Sequence, residues 1–361
     1  MQVLLKIILL PFSLVYGLII FIRNKLFDWG ILPSREYNFP VISVGNLNIG
    51  GTGKTPHIDY LIGLLNNEFR VAVLSRGYKR KTKGFVLSQE NSDPEEIGDE
   101  PCQLKQKYPN VIVAVDSNRR RGIQNLSEMN PPPDVILLDD AFQHRYVKPG
   151  LNILLIDYNR PAKKDFLLPS GRLREPFSSR KRAKIILISK SPKTLKAIDM
   201  RIIAQETLLG KFQHLFFTTV VASVIKPIFS NLDLDINSIL NKKPEVLIVS
   251  GIANPRQIKP FVRKISPKFK ELCFNDHHNY IEQDARKIVE ELEKLNNGII
   301  LTTEKDAVKL RKFRDIFKDI EQRFFYLPIF ITFLNDDEKS FNHQIISYVR
   351  DNKRDSILHK K

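Results

Sequence analysis

Cysteine is nearly missing: the 361 residues hold only Cys102 and Cys273. The two lie far apart, with no CxxC or His/Cys ligand spacing around them, so neither a disulfide framework nor a structural zinc site is available and a reducing compartment is expected. Both thiols are expected to be buried as small apolar side chains. Negative charge is also short. Against 57 Lys and Arg stand 40 Asp and Glu, a formal net charge of +17, an excess that attracts polyanions or an anionic membrane face. No nucleic-acid partner is expected: zinc-finger spacing, an RRM-type aromatic signature and a helix-turn-helix pattern are all missing, and the basic residues are spread along the chain. Low-complexity tracts are lacking too, and 42% hydrophobic with 27% charged residues is the composition of a packed globular chain. At this length one core usually gives way to two, so a large domain and a smaller partner are expected.

Long hydrophobic runs are scarce, and the conspicuous one opens the chain. From Ile7 to Ile22 no residue is charged; Pro11 interrupts the run and Arg23 and Lys25 close it. A straight span needs roughly 20 apolar residues, so a shallow insertion competes with a full crossing, and Pro11 should kink the helix. A cleaved signal is not expected, since no small-residue cleavage site precedes Arg23. Phe27 and Trp29 are candidate interfacial anchors.

From Val41 short β-rich runs alternate with helical segments: VISVG, VAVLS, VIVAV, VILLD, ILLI and IILIS, and later VLIVS, LCF, GIILTT and RFFYL. This pattern predicts an α/β protein with a mostly parallel sheet flanked by helices, of the P-loop NTPase kind, and a second, smaller α/β unit. The expected division is a membrane-associated N-terminal helix over 1–25, a core domain over 26–220, a linker over 221–243, and a smaller domain over 244–361 that closes over the active site.

Between the strand VISVG and a helix lies Asn48-Ile49-Gly50-Gly51-Thr52-Gly53-Lys54-Thr55. A glycine-rich turn of this kind cradles phosphates, because converging backbone N–H groups and a helix N-terminus both favour an anion. Lys54 would reach the β- and γ-phosphates, and Thr55 would offer its hydroxyl to Mg²⁺. The usual first glycine is replaced by Asn48. The hydrophobic run ending in Asp139-Asp140 has the form of the acidic strand that serves the metal side of such a loop. ATP and Mg²⁺ are the implied cofactors.

Other strings carry a resemblance: VGNLNIGGTGKTP (44–56), SRGYKR (75–80), GDEP (98–101), LDDAFQHR (138–145), LREP (173–176), GIANP (251–255), FNDHHNY (274–280) and LTTEKDAVK (301–309). In this order they resemble the tetraacyldisaccharide 4′-kinase (lipid A 4′-kinase) family, which also lacks glycine at the position of Asn48. The resemblance implies transfer of the ATP γ-phosphate to the 4′-hydroxyl of a tetraacyldisaccharide 1-phosphate, giving lipid IVA at the cytoplasmic face of the bacterial inner membrane, with no obligate protein partner evident. It also implies a catalytic Asp99, presented from a loop as base, with His277 as its partner and Lys54 assisting, which places the reaction between the domains and implies closure on substrate. Thr55, Asp139, Asp140 and Gln143 are metal-side candidates. Arg119, Arg174 and Lys305 are candidate phosphate contacts, Glu100, His144 and Glu175 candidates for positioning or the metal side, and Arg76 a further candidate near the nucleotide. Adjacent His277 and His278, read as a strand, would point to opposite faces. The basic stretch 160–190 could meet the acceptor's phosphate or lipid headgroups.

Two other classes fit the loop alone: another P-loop kinase or GTPase, and a membrane-bound nucleotide switch. A guanine-reading N/T-K-x-D element is imitated by Thr303-Glu304-Lys305-Asp306, but glutamate stands where asparagine would read the base. We therefore expect ATP to compete for the binding site well ahead of GTP; equal competition in a nucleotide-displacement titration would favour the GTPase class.

Overall fold

The computed structural model describes residues 2–229, 236–252 and 258–358. The first strands in chain order are β1 (Val41–Asn46), β2 (Val71–Ser75), β3 (Val86–Leu87), β4 (Ile112–Val115), β5 (Val135–Asp139), β6 (Leu151–Asp157), β7 (Ile185–Ser189) and β8 (His214–Ala222). They are followed by β9 (Lys226–Pro227), β10 (Val246–Ser250), β11 (Phe269–Cys273), β12 (Ile299–Thr303), β13 (Phe324–Leu327) and β14 (Ile329–Phe333). Among the described residues they form a nine-stranded sheet, β14-β8-β7-β6-β1-β5-β2-β4-β3, and a five-stranded sheet, β11-β10-β12-β13-β9. Most pairs are parallel, with β3, β9 and β14 antiparallel at edges. The central strands β1, β2, β5 and β7 are buried at every position, as expected for β-branched and leucine runs covered on both faces.

The helices are α1 (Gln2–Asp28), α2 (Lys54–Leu65), α3 (Pro94–Ile97), α4 (Asp99–Lys107), α5 (Arg119–Ser127), α6 (Ala197–Thr207), α7 (Ile236–Asn241), α8 (Lys259–Ile265), α9 (Glu282–Glu293), α10 (Glu304–Leu310), α11 (Arg314–Phe317) and α12 (Glu338–Leu358). Pro11 sits inside α1 without ending it. In the large sheet, β1 lies between β5 and β6, so the chain leaves β1 on one side and β5 on the other. That is the switch point where open α/β sheets bind ligands, beyond the carboxyl ends of the strands.

Two expectations are corrected. The chain crosses from the large sheet to the small one between Ala222 and Lys226, and returns at Pro328, where Ser223 N donates to Pro328 O at 2.9 Å. The crossing is thus a pair of short segments joined by a backbone hydrogen bond, shorter than the linker placed over 221–243, of which residues 230–235 lie outside the described residues. The smaller unit also stops near Leu327. Strand β14 pairs with β8 from Ile329↔Ala222 to Phe333↔Thr218, and α12 buries Phe341, Ile345 and Val349 in the core built around β1 and α2. In addition, Cys273 is exposed while Cys102 is buried, because β11 is an edge strand whose pattern leaves one face to water.

If α12 belongs to the core of the large sheet, Ile345→Ala should cost about 2–5 kcal/mol, the range for deleting a buried aliphatic side chain. Urea unfolding followed by far-UV circular dichroism measures this; a loss near zero would place α12 outside that core.

Candidate active site

The phosphate loop is held from three sides. Gly53, at φ 89°, turns the chain into α2, and Gly50 at φ 107° takes another conformation that L side chains rarely adopt. Within the loop, Asn46 Nδ2 donates to Thr52 Oγ1 at 2.7 Å. From β7, Ser189 Oγ donates to Thr52 O at 2.8 Å, and Lys190 Nζ bonds Gly51 O while pairing with Asp157 at 3.0 Å. From the LREP segment, Ile49 N donates to Arg172 O at 2.8 Å and Arg174 N to Leu47 O at 2.7 Å. Below the loop, His57 is buried, with Nδ1 2.7 Å from Gly53 O and Nε2 3.0 Å from Thr218 Oγ1. A carbonyl must accept, so Nδ1 carries the proton and Nε2 accepts from the threonine hydroxyl.

The two carboxylates after β5 have unlike surroundings. Asp140, at φ 48°, takes a bidentate contact from Arg174 at 2.8 and 3.2 Å and faces Lys54 Nζ at 3.5 Å. Burial would raise its pKa, but Lys54 and Arg174 outweigh it and hold the group below the usual range. Asp139 accepts from Ser75 Oγ at 3.1 Å, yet its buried Oδ1 has no hydrogen-bond partner. Burial first, then Glu100 and Asp140, push it above the usual carboxylate range. A buried carboxylate oxygen without a donor is a place for a cation.

Across the cleft stands Asp99. GDEP is not an open loop: Asp99 is the first residue of α4 and is buried. Its Oδ2 lies 3.0 Å from His277 Nδ1, 2.7 Å from Lys309 Nζ and 3.7 Å from Lys305 Nζ. Burial opposes ionisation, but the contacts from His277 and Lys309 and the charge of Lys305 prevail, so the carboxyl titrates below its ordinary value. His277 does not sit in a strand. It adopts φ 58° in a turn after β11, with its N bonded to Gly251 O at 3.1 Å and its ring edge-on to Tyr78 at 5.1 Å. His278 takes a different partner, Asp284, at 2.8 Å.

Between the sheets a cleft of about 560 Å³ is lined by 51–56 of the phosphate loop, by Glu100, Lys190 and Lys305, and by the apolar Ile252, Ile258, Pro260 and Phe261. That volume and this mix of one cationic end and one apolar wall suit a nucleotide. Among the described residues no group of three or more His, Cys, Asp or Glu could hold a metal unaided; a divalent ion here would share its shell with phosphate, the usual arrangement for magnesium.

The remaining candidates divide. Gln143 Nε2 donates to Asn46 O at 2.7 Å and leaves a buried Oε1 without a partner. Arg76 is exposed at the end of β2. Asn48 bridges to Leu173, and its side chain reaches Asp165 at 3.4 Å. Two residues have other partners than expected, and a third is held uncharged. Arg119 is 2% exposed and donates to the backbone of Asp116 and Asp139, which braces the end of β5; burial lowers its pKa to about 10. Glu175 is fully buried against Arg182 at 2.7 Å. His144 is pushed to about 4, by burial first and then by Arg119, Arg23 and Arg76, so it is neutral at physiological pH. Of GIANP, residues 253–255 lie outside the described residues. Sequence reasoning missed Asn46, Ser189, Lys190 and Lys309. Lys309 had a signal, being four residues after Lys305 and hence on the same face of α10.

Comparison with known proteins follows the same line. The family model described as "LpxK: Tetraacyldisaccharide-1-P 4'-kinase" matches residues 5–350. A tetraacyldisaccharide 4′-kinase of Phocaeicola vulgatus is 45% identical over 352 residues, covering 96% of each chain. That of Flavobacterium johnsoniae is 46% identical over 350 residues, covering 97% of this chain and 98% of the relative. Among solved structures, "apo" form LpxK from Aquifex aeolicus in complex with ATP has 32% sequence identity and a TM-score of 0.74, covering 96% of this chain and 99% of that one.

The buried His57 makes stability depend on pH. Its folded pKa is lowered to about 4, by burial, against an ordinary 6.5 in the unfolded chain. Below pH 6.5 the unfolded state therefore binds the proton first, and stability falls as pH drops from 6.5 towards 4, by up to about 3 kcal/mol from this group. Urea midpoints of the nucleotide-free protein across this window should fall, and His57→Gln should start lower but with a shallower slope. An equal slope in the variant would assign the dependence elsewhere.

Proposed function

The chain belongs to the tetraacyldisaccharide-1-P 4′-kinase family, and we propose the roles of its own residues in that family's reaction, transfer of the ATP γ-phosphate to the 4′-hydroxyl of a tetraacyldisaccharide 1-phosphate to form lipid IVA. The observation that carries the reading is the disposition of Asp99: all three cationic or donor contacts converge on Oδ2, leaving Oδ1 to receive the proton of the attacking hydroxyl. The 4′-oxygen forms a bond to the γ-phosphorus, the bond from that phosphorus to the β-bridging oxygen breaks, and ADP leaves with its electron pair. Such a transition state is loose, so a carboxylate held ionised suffices as the acceptor of a proton that departs late, and most of the barrier is lowered by positioning and charge. His277 and Lys309 orient the carboxylate; Lys305 extends positive charge into the cleft.

On the nucleotide side, Lys54 exchanges Asp140 for the β- and γ-phosphates, and Arg174 keeps Asp140 neutralised when it does. Magnesium fits the donors present, namely the Thr55 hydroxyl, the orphaned Asp139 Oδ1 and, from Gln143, the unpartnered Oε1; when bound it would neutralise charge on the phosphate oxygens. The apolar wall of the cleft receives the base, and a guanine-specific reader has no support here.

For location, we read α1 as an interfacial helix on the cytoplasmic face of the inner membrane, where ATP is available. Leu5–Asp28 is long and apolar enough to cross a bilayer. However, its inner side is bonded to the enzyme along its length: Ser13 Oγ to Leu167 O at 3.0 Å, Tyr16 OH to Arg174 O at 2.8 Å and Arg23 Nη2 to Gln143 O at 2.9 Å. A helix bound along one side and apolar on the other suits the plane of the interface better than a crossing. Trp29 remains exposed as an anchor, whereas Phe27 is buried, edge-on to Tyr146 at 5.0 Å.

With Mg-ATP and the dispersed disaccharide 1-phosphate, product carrying one added phosphate should appear by mass spectrometry; its absence from a folded, ATP-binding sample would refute the reading. Asp99→Ala should lower kcat by about 10²–10⁴ while ATP binds as before. Lys309→Met should lower kcat at least about tenfold and move the acid limb of the rate profile to higher pH, because Asp99 loses its closest cation. An unmoved limb would remove Lys309 from that role.

A further inference from the structure

Helix α6 carries apolar side chains both toward the core and toward water. Met200, Ile203 and Thr207 turn inward to the cluster under β6 and β7. On the outer side, Ile198 (58% exposed) and Ile202 are exposed one turn apart, and past the helix end Leu209 and Phe212 (80% exposed) are exposed as well. This is an apolar stripe facing water. At its end Leu208 takes a left-handed φ of 52°, a helix-end conformation ordinarily given to glycine, and two leucines and a phenylalanine project from the turn that follows.

Around the stripe stand Lys193, Lys196, Arg201 and Lys211, none of which has an ion-pair partner among the described residues. The only carboxylates on α6 are Asp199 and Glu206, and Glu206 is taken up by Lys164 at 3.6 Å. The same 162–173 segment that reaches α6 through Lys164 also grips α1, through Leu167 O and through Ser170 Oγ, which donates to Lys6 O at 2.9 Å. Between the two, Phe166 is exposed. Apolar surface rimmed by unpaired cations fits an anionic phospholipid bilayer and repels basic partners.

We propose that α6 and the turn 208–212 form a second membrane-contacting element, which with α1 seats the enzyme on the bilayer at two separate points and fixes its tilt. This rests on the reading of α1 as interfacial, and goes beyond it by assigning a second surface.

The test uses the full chain with Phe212→Trp in a Trp29→Phe background, which leaves a single tryptophan at the tip of the turn. Vesicles of phosphatidylglycerol and phosphatidylethanolamine should shift its emission to the blue and expose it to quenching by brominated acyl chains. Ile202→Glu with Phe212→Glu, both at exposed positions, should weaken vesicle partition at least about tenfold, since each charge facing an anionic leaflet changes affinity about fivefold, while ATP affinity stays unchanged. A reporter whose emission does not move although the protein sediments with vesicles would overturn the proposal. So would a double variant that partitions normally but loses a concentration-dependent dimer by analytical ultracentrifugation, which would assign the stripe to a second copy. Phe12→Glu with Leu18→Glu tests α1 separately: if partition survives it, the α1 reading fails, and the Phe212 reporter still decides the case for α6.

Discussion

The Asp99 carboxylate, buried at the start of α4 and neutralised by side chains of the opposite unit, is the interaction on which the rest of the site depends. A charge removed from water is tolerated only when paired and hydrogen-bonded. Here the pairing groups, His277, Lys305 and Lys309, all come from the small sheet and its helix α10. Burying the anion and bringing the two sheets into register are therefore one event. Polar contacts beside it, Gln103 with Glu304 at 3.0 Å and Lys107 with Glu304 at 3.8 Å, lie on the same seam between α4 and α10, so the carboxyl ends of both sheets face one cleft.

Preorganisation of the phosphate loop has a similar logic. A loop rich in glycine costs conformational entropy to order, and this one is tethered by groups from β1, β7, β8 and the LREP segment. The tethers from β7, His57 and the LREP side satisfy backbone carbonyls or N–H groups that would otherwise compete with phosphate or stand unpaired, while Asn46 holds the Thr52 hydroxyl and Thr218 the His57 ring. Asp140 acts within this frame as a resident anion: with Lys54 and Arg174 around it, positive charge is already gathered where phosphates arrive.

The N-terminal helix adds a mechanical link. Tyr16 and Arg23 bond the carbonyls of Arg174 and Gln143, residues one step from Asp140. The exposed apolar side of α1, proposed above as interfacial, is thus joined directly to the segments that shape the nucleotide end; under that proposal the acceptor's acyl chains stay in the bilayer while its sugar hydroxyl enters the cleft.

How much of this was legible beforehand follows from the range of each interaction. Strand runs such as VILLD and IILIS, the phosphate loop, the acidic end of β5 and the dyad motifs are local patterns, and local patterns survive in a linear reading because burial on both faces or a tight turn demands particular neighbours. Strands β8 and β14 escaped it: the burial of β8 fades at both ends, and the two are fixed as strands by pairing, β8 with β7 on one side and with β14 on the other. For the same reason α12 was assigned to the wrong unit, since nothing in its own residues says which core Ile345 enters. Sequence by itself determined the α/β class, the phosphate chemistry and the residue types available for catalysis. Tertiary structure alone decided which charges meet: that Lys309 finds Asp99, that Glu175 is spent on Arg182, that Arg119 props a strand end, and that Asp139 rather than Asp140 keeps a buried carboxylate oxygen without a donor. Such partners stand seven residues apart for Glu175 and Arg182 and 178 for Asp99 and His277, and the cost of an unpaired buried charge is felt only once the chain has closed around it.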